Sequence, residues 1–357
     1  MFRKWSDANV APGEPHNDQA GRNGAMSLKE CLMVSRTARV GGRSVAALLL
    51  ALSMALVAVL PFAGSATAQD ASPEAAPEVS AIAALGLPQI LVRATELTYA
   101  VVIAPPVVEG WTQVTLQNET DSPAVVNLVK LQEGQNAGDI SSAVFAAFQG
   151  QGGTLPEWWG ASEFAGGAWA AAGESVDTAV YLTPGRWVVF SSNPFSPQPV
   201  QTFAVATPEE LETVYGIVPE ATPVGGTPEA TPVAEGLPAD GQISIDDGAF
   251  TGAESPVSGP QVWAVTNNSS QVSELVVAFV DYEIPADEAV AWVGTVAAGV
   301  IGNGVIQSGT GLLSPGATAY IALDLAPGTY VLFSTAPDAS GTGLQASNGL
   351  VQVIQVP

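Results

Sequence analysis

An apolar segment introduced by a Pro-Gly turn, which has the pattern of a β-strand, occurs twice in the chain. It reads TPGRWVVFS at 183–191 and APGTYVLFS at 326–334. Upstream of each copy, an alternating strand ends in Asn, as VTLQN at 114–118 and WAVTN at 263–267. Asn at a strand end suits a turn. Two segments of similar length that carry the same elements in the same order indicate a tandem repeat.

Each copy also contains a second apolar strand, at 125–129 and 274–278, followed by one helical stretch. The first helix is opened by Asp139 and carries apolar residues at helical spacing through Phe148. The second begins after Pro285 and has acids in its first turn, where the helix dipole favours them. Short strands between Gly and Pro turns, with one short helix per copy, predict a mainly β fold of two β-sandwiches.

The composition changes between the two copies, where Thr-Pro-Glu and Ala-Thr-Pro units repeat. Closely spaced prolines remove backbone donors and favour extended chain, so we expect a semi-rigid linker there. The boundaries that follow are an N-terminal extension and signal peptide at 1–68, a short linker at 69–85, a first domain at 86–206, a Pro/Thr/Glu-rich linker at 207–239 and a second domain at 240–357.

An apolar run at 44–63 follows Arg36, Arg39 and Arg43 and precedes the small-residue sequence ATA at 66–68. This layout is typical of a secretory signal peptide. We expect cleavage before Gln69 and a secreted or cell-surface protein. The run approaches the length of a membrane span, so an uncleaved anchor helix is the alternative. The start codon, cleavage and oligomeric state stay open.

Beyond residue 68 the chain is strongly acidic. It holds three basic residues (Arg93, Lys130 and Arg186) and 30 acidic ones, a formal charge of −27. Such a charge repels phosphate backbones and anionic lipid, so we expect no nucleic-acid partner, and membrane contact only through a retained signal segment. The partner predicted by this composition is an unidentified extracellular protein or glycan.

The only Cys, Cys31, and the only His, His16, both precede the apolar run. A chain that begins near Gln69 therefore has no disulfide, no Ser-His or Cys-His catalytic arrangement and no zinc site of the usual ligands. We therefore predict no catalytic residues, no cofactor and no enzymatic activity.

The two segments resemble the cupredoxins, the blue-copper domain family, across most of their length. The resemblance depends on the order of the elements: a strand ending in Asn, an apolar strand, a short helix, a Gly-rich stretch at 166–169, a small-Gly-x turn at 172–174 and 315–317, and the Pro-Gly turn before a final hairpin. It implies a Greek-key β-sandwich for each copy.

The resemblance also implies where copper would lie, and which residues stand there instead. Cupredoxins hold copper with a thiolate, two imidazoles and usually a weak thioether. The corresponding positions carry Ala124 and Ser191 in the first copy and Ser273, Ser334, Gln345 and Leu350 in the second. The first copy has a shortened closing loop at 193–199. We therefore expect both copies to be copper-less, and any other ligand of the second copy to bind near these residues.

Two adjacent tryptophans, Trp158 and Trp159, lie in a Gly- and Pro-flanked stretch and form a possible binding surface. If that stretch is extended, both rings cannot enter the same core. One exposed ring would suit a sugar or a partner protein. The alternative is that both rings pack over the end of the sandwich. If the first copy has a ligand site, we expect it near Ala124, Ser191 and Trp159.

The function predicted from these features is that of a non-catalytic secreted or cell-surface binding or structural protein. One alternative is a copper electron-transfer protein whose ligands a partner donates. Another is a carboxylate-dependent glycan-active or calcium-binding protein. The acid pairs on which that alternative depends are at 209–210, 246–247 and 287–288, where acids also suit turns and helix starts.

Overall fold

The computed structural model describes residues 80–104, 106–148, 155–192, 201–215, 236–253, 256–297, 300, 302–341 and 343–357. Residues 73–357 form one compact unit. The signal peptide, its cleavage site and the closing loop at 193–199 lie outside the described residues. So do most of both linkers. Within the described ranges, no helix combines the length and the apolar character that a membrane span requires.

The described residues of the first segment, up to residue 206, form nine strands and one α-helix. They are β1 (Gln89–Ala94), β2 (Tyr99–Ile103), β3 (Val107–Val108), β4 (Gly110–Asn118), β5 (Ala124–Lys130), α1 (Ala137–Phe148), β6 (Phe164–Ala170), β7 (Ser175–Leu182), β8 (Gly185–Phe190) and β9 (Gln201–Ala206). The helix α1 begins at Ala137 because Asn136 caps it, with Oδ1 accepting from the backbone N–H of Gly138 at 2.9 Å.

The second segment repeats this order with eight strands and one helix. They are β10 (Gly241–Asp246), β11 (Ala249–Thr251), β12 (Gly259–Asn267), β13 (Val276–Val280), α3 (Ala286–Ala297), β14 (Gly304–Gly309), β15 (Thr318–Leu325), β16 (Gly328–Phe333) and β17 (Val351–Val356). The Asn-ended strands of the sequence are β4 and β12, and the strands after the Pro-Gly turns are β8 and β16. The prediction of a mainly β sandwich with few helices is confirmed.

Three sheets form the sandwich. One has eight strands in the order β11-β10-β12-β15-β7-β4-β1-β2, so it continues from one segment into the other. The others contain the strands β3-β9-β8-β5-β6 and β14-β13-β16-β17. Side chains from all three sheets form one buried cluster, which includes Val114 and Trp187 from the first segment and Val265 and Leu332 from the second. The two segments therefore share a core as well as a sheet.

The segments join through β7 and β15, which pair antiparallel over residues 178–180 and 319–321. A second contact lies beneath this one, where the backbone N–H of Gly167 donates to the carbonyl of Thr310. Asn127 adds a third, because its Oδ1 accepts from the backbone N–H of Leu312 at 2.8 Å. Asn127 is fully buried. Backbone and side-chain hydrogen bonds therefore hold the two segments together inside the protein.

The prediction of extended linker from residue 207 is wrong for its first part, which forms the helix α2 (Pro208–Tyr215). Thr207 and Glu210 make a reciprocal capping box: Thr207 Oγ1 accepts from the Glu210 N–H at 3.1 Å, and Glu210 Oε2 accepts from the Thr207 N–H at 2.9 Å. Pro208 suits the first helical position, where no N–H is needed. Leu211 is buried, which anchors the helix.

The end of the short linker predicted at 69–85 is likewise not an open spacer. Ile82 is fully buried beside Tyr320 on the outer face of the shared sheet. Ser80 donates to the Asp177 carboxylate at 2.5 Å, which ties the start of the described chain to β7. Residues 80–87 therefore cover the sheet where the two segments meet.

Candidate functional site

Three of the residues at the positions where cupredoxins would hold copper lie together in the structure. Ser273 lies just before β13, and Ser334 directly follows β16, the strand that pairs with β13. Gln345 begins a short 3-10 turn at Gln345–Asn348. The Oγ atoms of Ser273 and Ser334 donate to Gln345 Oε1 at 2.6 and 3.2 Å. All three residues are buried.

The side-chain amide of Gln345 makes all the hydrogen bonds that it can make. Its Nε2 donates to the carbonyls of Val272 at 2.7 Å and Pro337 at 3.2 Å, while Oε1 accepts from both serines. Two donors and two acceptor sites are the full capacity of a carboxamide. The cluster, here named the Gln345 network, is therefore neutral and internally satisfied.

The Gln345 network does not fit copper. Blue-copper centres need a soft thiolate and imidazole nitrogens, whereas these side chains offer hydroxyl and amide oxygens. Leu350, at the thioether position, is buried in the core, and its carbonyl accepts from the Ser334 N–H at 3.1 Å. In the parts of the chain that the structure describes, no three His, Cys, Asp or Glu side chains lie close enough together to hold a metal ion.

A pocket of about 40 Å³ borders the Gln345 network, and Gln345 and Leu350 are among the residues that line it. Its rim includes Asp246, Asp247 and Asp338. Asp247 accepts from the backbone N–H and the hydroxyl of Ser270, and these hydrogen bonds hold the pKa of that carboxyl below its usual value. The acids at 246–247 thus stabilise local turns, and Glu210 of the pair at 209–210 caps a helix.

The first segment arranges its corresponding residues differently. Ala124 and Ser191 are both buried. Ser191 Oγ donates to the Tyr99 hydroxyl at 3.2 Å, which joins β8 to β2. Trp159 packs in a buried hydrophobic cluster with Phe164 and Phe190, whereas Ala124 belongs to the core cluster shared by both segments.

The pair Trp158 and Trp159 packs mostly inward. Trp159 is 4% exposed, and its ring centroid lies 4.8 Å from that of Phe164. Trp158 is half-buried, with its ring centroid 6.0 Å from that of Trp159. A 3-10 turn at Trp159–Ala161 takes the place of the extended chain considered from the sequence, and the burial of Trp159 agrees with the alternative in which the rings pack inward.

Sequence reasoning missed Glu274, a fully buried carboxylate where the segments meet. Its Oε1 accepts from the N–H and hydroxyl of Thr335 at 3.0 and 2.6 Å. Its Oε2 accepts from the indole N–H of Trp169, in the first segment, at 3.1 Å. Burial raises the pKa of Glu274 above its usual value, although these hydrogen bonds oppose the shift. The sequence did carry one sign of this residue: Glu274 is an acid within a predicted apolar strand, at the position where the first copy has Val125.

Comparisons with known proteins give only distant similarities. No protein-family model matches the chain. No curated protein matches it either. Among solved structures, the chain is similar to a reduced auracyanin from Roseiflexus castenholzii, with 24% identity, a TM-score of 0.25, and coverage of 32% of this chain and 94% of the auracyanin.

Two larger structures span more of the chain. A multicopper oxidase shares 12% identity at a TM-score of 0.19, over 75% of this chain and 88% of its own. The copper nitrite reductase of Nitrosomonas europaea shares 12% identity at a TM-score of 0.20, over 75% and 93%. Similarities this low say nothing about the activity of this chain.

Proposed function

We propose that the chain is an exported, non-catalytic binding or structural protein built from two copper-less cupredoxin-like domains. The observation that carries this proposal is the Gln345 network. A closed set of four hydrogen bonds at the position expected for copper supports a structural role for those residues. The same order of strands in both segments supports the tandem repeat. The lack of His and Cys beyond residue 68 supports the absence of catalysis.

We expect the protein not to bind copper tightly. The test is titration of the purified exported protein with Cu(II) and with Cu(I), followed by the visible absorption spectrum and the copper content after gel filtration. Neither intense thiolate absorption nor stoichiometric copper is expected, because no thiolate or imidazole is present. Binding of one copper per domain would overturn the proposal. It would also remove the reason for the alternative in which a partner supplies the copper ligands, because the chain would then bind copper by itself.

A matched variant tests whether the geometry is that of the resembled family. The triple substitution Ser273→His, Ser334→Cys and Gln345→His supplies the missing ligand types at two positions that both contact the third, Gln345. We expect this variant to take up about one copper and to show thiolate absorption. The substitution Gln352→His, on the neighbouring strand β17, is the control for adventitious binding by a single imidazole.

Export is tested by the N-terminal sequence of the product found outside the cell. We expect this product to begin near Gln69, because ATA at 66–68 suits a signal peptidase. A secreted product that retained His16 would return an imidazole to the protein and contradict the copper-less proposal. Retention of the apolar run, with the protein held in the membrane fraction, would favour the anchor alternative.

A further inference from the structure

A cleft of about 400 Å³ opens on the surface where the two segments meet. The first segment lines it with Trp111, Glu163 and Tyr181, and the second lines it with residues 316–318. This volume lies within the range of small-molecule sites. Neither segment forms the cleft alone, so it is a property of the joined pair.

Two aromatic rings form one wall of the cleft, and their positions are fixed. Trp111 and Tyr181 are neighbours across β4 and β7, with ring centroids 5.5 Å apart and planes at 81°. Tyr320 of the second segment contacts Trp111 from another side, at 5.0 Å and 82°. Both Trp111 and Tyr181 are half-buried, so each presents part of a rigid ring to the cleft. Such rings give apolar contact area at little cost in conformational entropy.

A pre-oriented carboxylate lies in the same cleft. Glu163 accepts from the Thr183 hydroxyl at 2.7 and 2.9 Å and from Lys130 Nζ at 3.2 Å. Its side chain is still 38% exposed. Among the described residues, Thr183 is the one donor to Glu163 Oε1, which keeps a further acceptor site because a carboxylate has about four. It can therefore accept a hydrogen bond from a ligand hydroxyl.

The charge around the cleft selects against anions. Lys130 is already paired with Glu163, and burial together with the nearby charge of Glu109 raises the pKa of Tyr181. The tyrosine hydroxyl is therefore neutral and can donate. A phosphate or uronate would meet the Glu163 carboxylate, and none of the described residues that line the cleft is basic, so an anion would bind at a cost. The chemistry that fits is an uncharged ring with hydroxyls at its edge and C–H groups on its face.

We propose that this cleft binds a neutral hexose unit of a glycan. The sugar face stacks on the Tyr181 ring, its edge contacts Trp111, whose plane is nearly perpendicular to that of Tyr181, and a ring hydroxyl donates to Glu163 Oε1. This inference rests on the proposed function, because it names the ligand of a non-catalytic binding protein. The Gln345 network takes no part in it.

The test is titration of the full chain with cellotetraose, maltotetraose and mannotetraose, followed by tryptophan fluorescence and calorimetry. We expect saturable binding of at least one of them and no binding of tetragalacturonate, the anionic counterpart. Tyr181→Ala is expected to weaken binding about tenfold, the loss of one stacked ring. Glu163→Gln is expected to weaken it by a similar factor through the lost charged hydrogen bond.

The matched control is Tyr282→Ala, which removes a 39% exposed tyrosine elsewhere on the second segment and should leave binding unchanged. Thermal unfolding of each variant shows whether it has folded. No binding of any neutral tetrasaccharide, equal binding of tetragalacturonate, or full binding by folded Tyr181→Ala would each overturn the inference. These results leave the copper-less proposal standing, whereas copper uptake would overturn that proposal and not this one.

Discussion

Replacing Gly167 by alanine is expected to remove most of the free energy of unfolding. Gly167 lies in β6, and a Cβ added to it would come 1.8 Å from the Val126 carbonyl oxygen and 2.9 Å from the Asn127 Cα. Real Cβ atoms essentially never approach a neighbour within 3.0 Å. The obstructing atoms belong to β5, which pairs with β6, and cannot turn aside as a flexible side chain would.

Two hydrogen bonds of the Gly167 backbone also hold β6 in place. The Gly167 N–H donates to the Thr310 carbonyl of the second segment, and its own carbonyl accepts from Thr178 Oγ1 at 2.7 Å. A shift of β6 that relieved the clash would break the contact to Thr310, which joins the two segments, and the contact to Thr178, which joins β6 to β7 within the first segment. We expect a loss of more than about 4 kcal/mol, an exceptional value for one substitution. Urea unfolding followed by tryptophan fluorescence measures it.

Two further variants keep this prediction testable if Gly167→Ala does not fold. Gly309→Ala, in β14, places its Cβ 2.8 Å from the Leu275 carbonyl oxygen and from Trp169 Cδ1, so a smaller loss is expected. Gly294→Ala is the control, because it lies in α3 with nothing within 4 Å of the added atom. There alanine should stabilise by up to about 1 kcal/mol. Similar stabilities for all three variants would contradict this account of the junction.

The local elements could be predicted from the sequence because their causes are local. A Pro-Gly turn sets the start of β8 and of β16, and an Asn ends β4 and β12. Asn118 and Asn267 explain why the same residue recurs: each side-chain amide donates to nearby backbone carbonyls, at Ser122 and Gln271, with distances of 2.7 and 2.8 Å. Such signals need only a few neighbouring residues.

The continuous eight-stranded sheet could not be predicted in the same way. The pairing of β7 with β15 joins residues far apart in sequence, and no local pattern marks an edge strand that will find a partner. The helix α2 differs, since its signal was present. Thr207, Pro208 and Glu210 form a capping box with proline at the first helical position. This signal was overlooked because the prolines that follow give the whole stretch a composition typical of an extended linker.

Prediction of the candidate site was uneven for a related reason. The resemblance of the sequence to the cupredoxins was enough to group Ser273, Ser334 and Gln345, which the structure joins by hydrogen bonds. The cleft near Tyr181 depends on the junction of the segments and was not anticipated. Glu274 was missed because a single acid in an apolar strand resembles a surface residue until the strand behind it is known.

Glu274 is the group through which we expect stability to depend most strongly on pH. It is fully buried, and in the described part of the chain it forms no ion pair with a basic residue. Its hydrogen-bond donors, Thr335 and Trp169, are neutral. Burial raises the pKa of its carboxyl group above the ordinary value of 4.5. At a pH between the pKa values of the unfolded and folded states, Glu274 therefore keeps its proton in the folded protein and has lost it in the unfolded chain.

The sign of the effect follows from that difference. The contribution of Glu274 to stability is complete below about pH 4.5, and it is lost as the pH rises through the pKa of the folded state. Between the two pKa values, the free energy of unfolding falls by about 1.4 kcal/mol per pH unit, because one proton is released on unfolding. The other acids of the chain add their own dependence, so the effect must be measured as a difference between variants.

We expect Glu274→Gln to remove this component, because the amide does not titrate. Urea unfolding of the wild type and the variant, from pH 4 upward, should give curves that separate as the pH rises, with the wild type losing stability relative to the variant. Glu133→Gln removes one negative charge from an exposed position and should run parallel to the wild type. If the curve for Glu274→Gln also ran parallel to that of the wild type, the pKa of Glu274 would not be raised in the folded protein. The carboxylate would then be ionised and solvated where the segments meet, which contradicts this prediction.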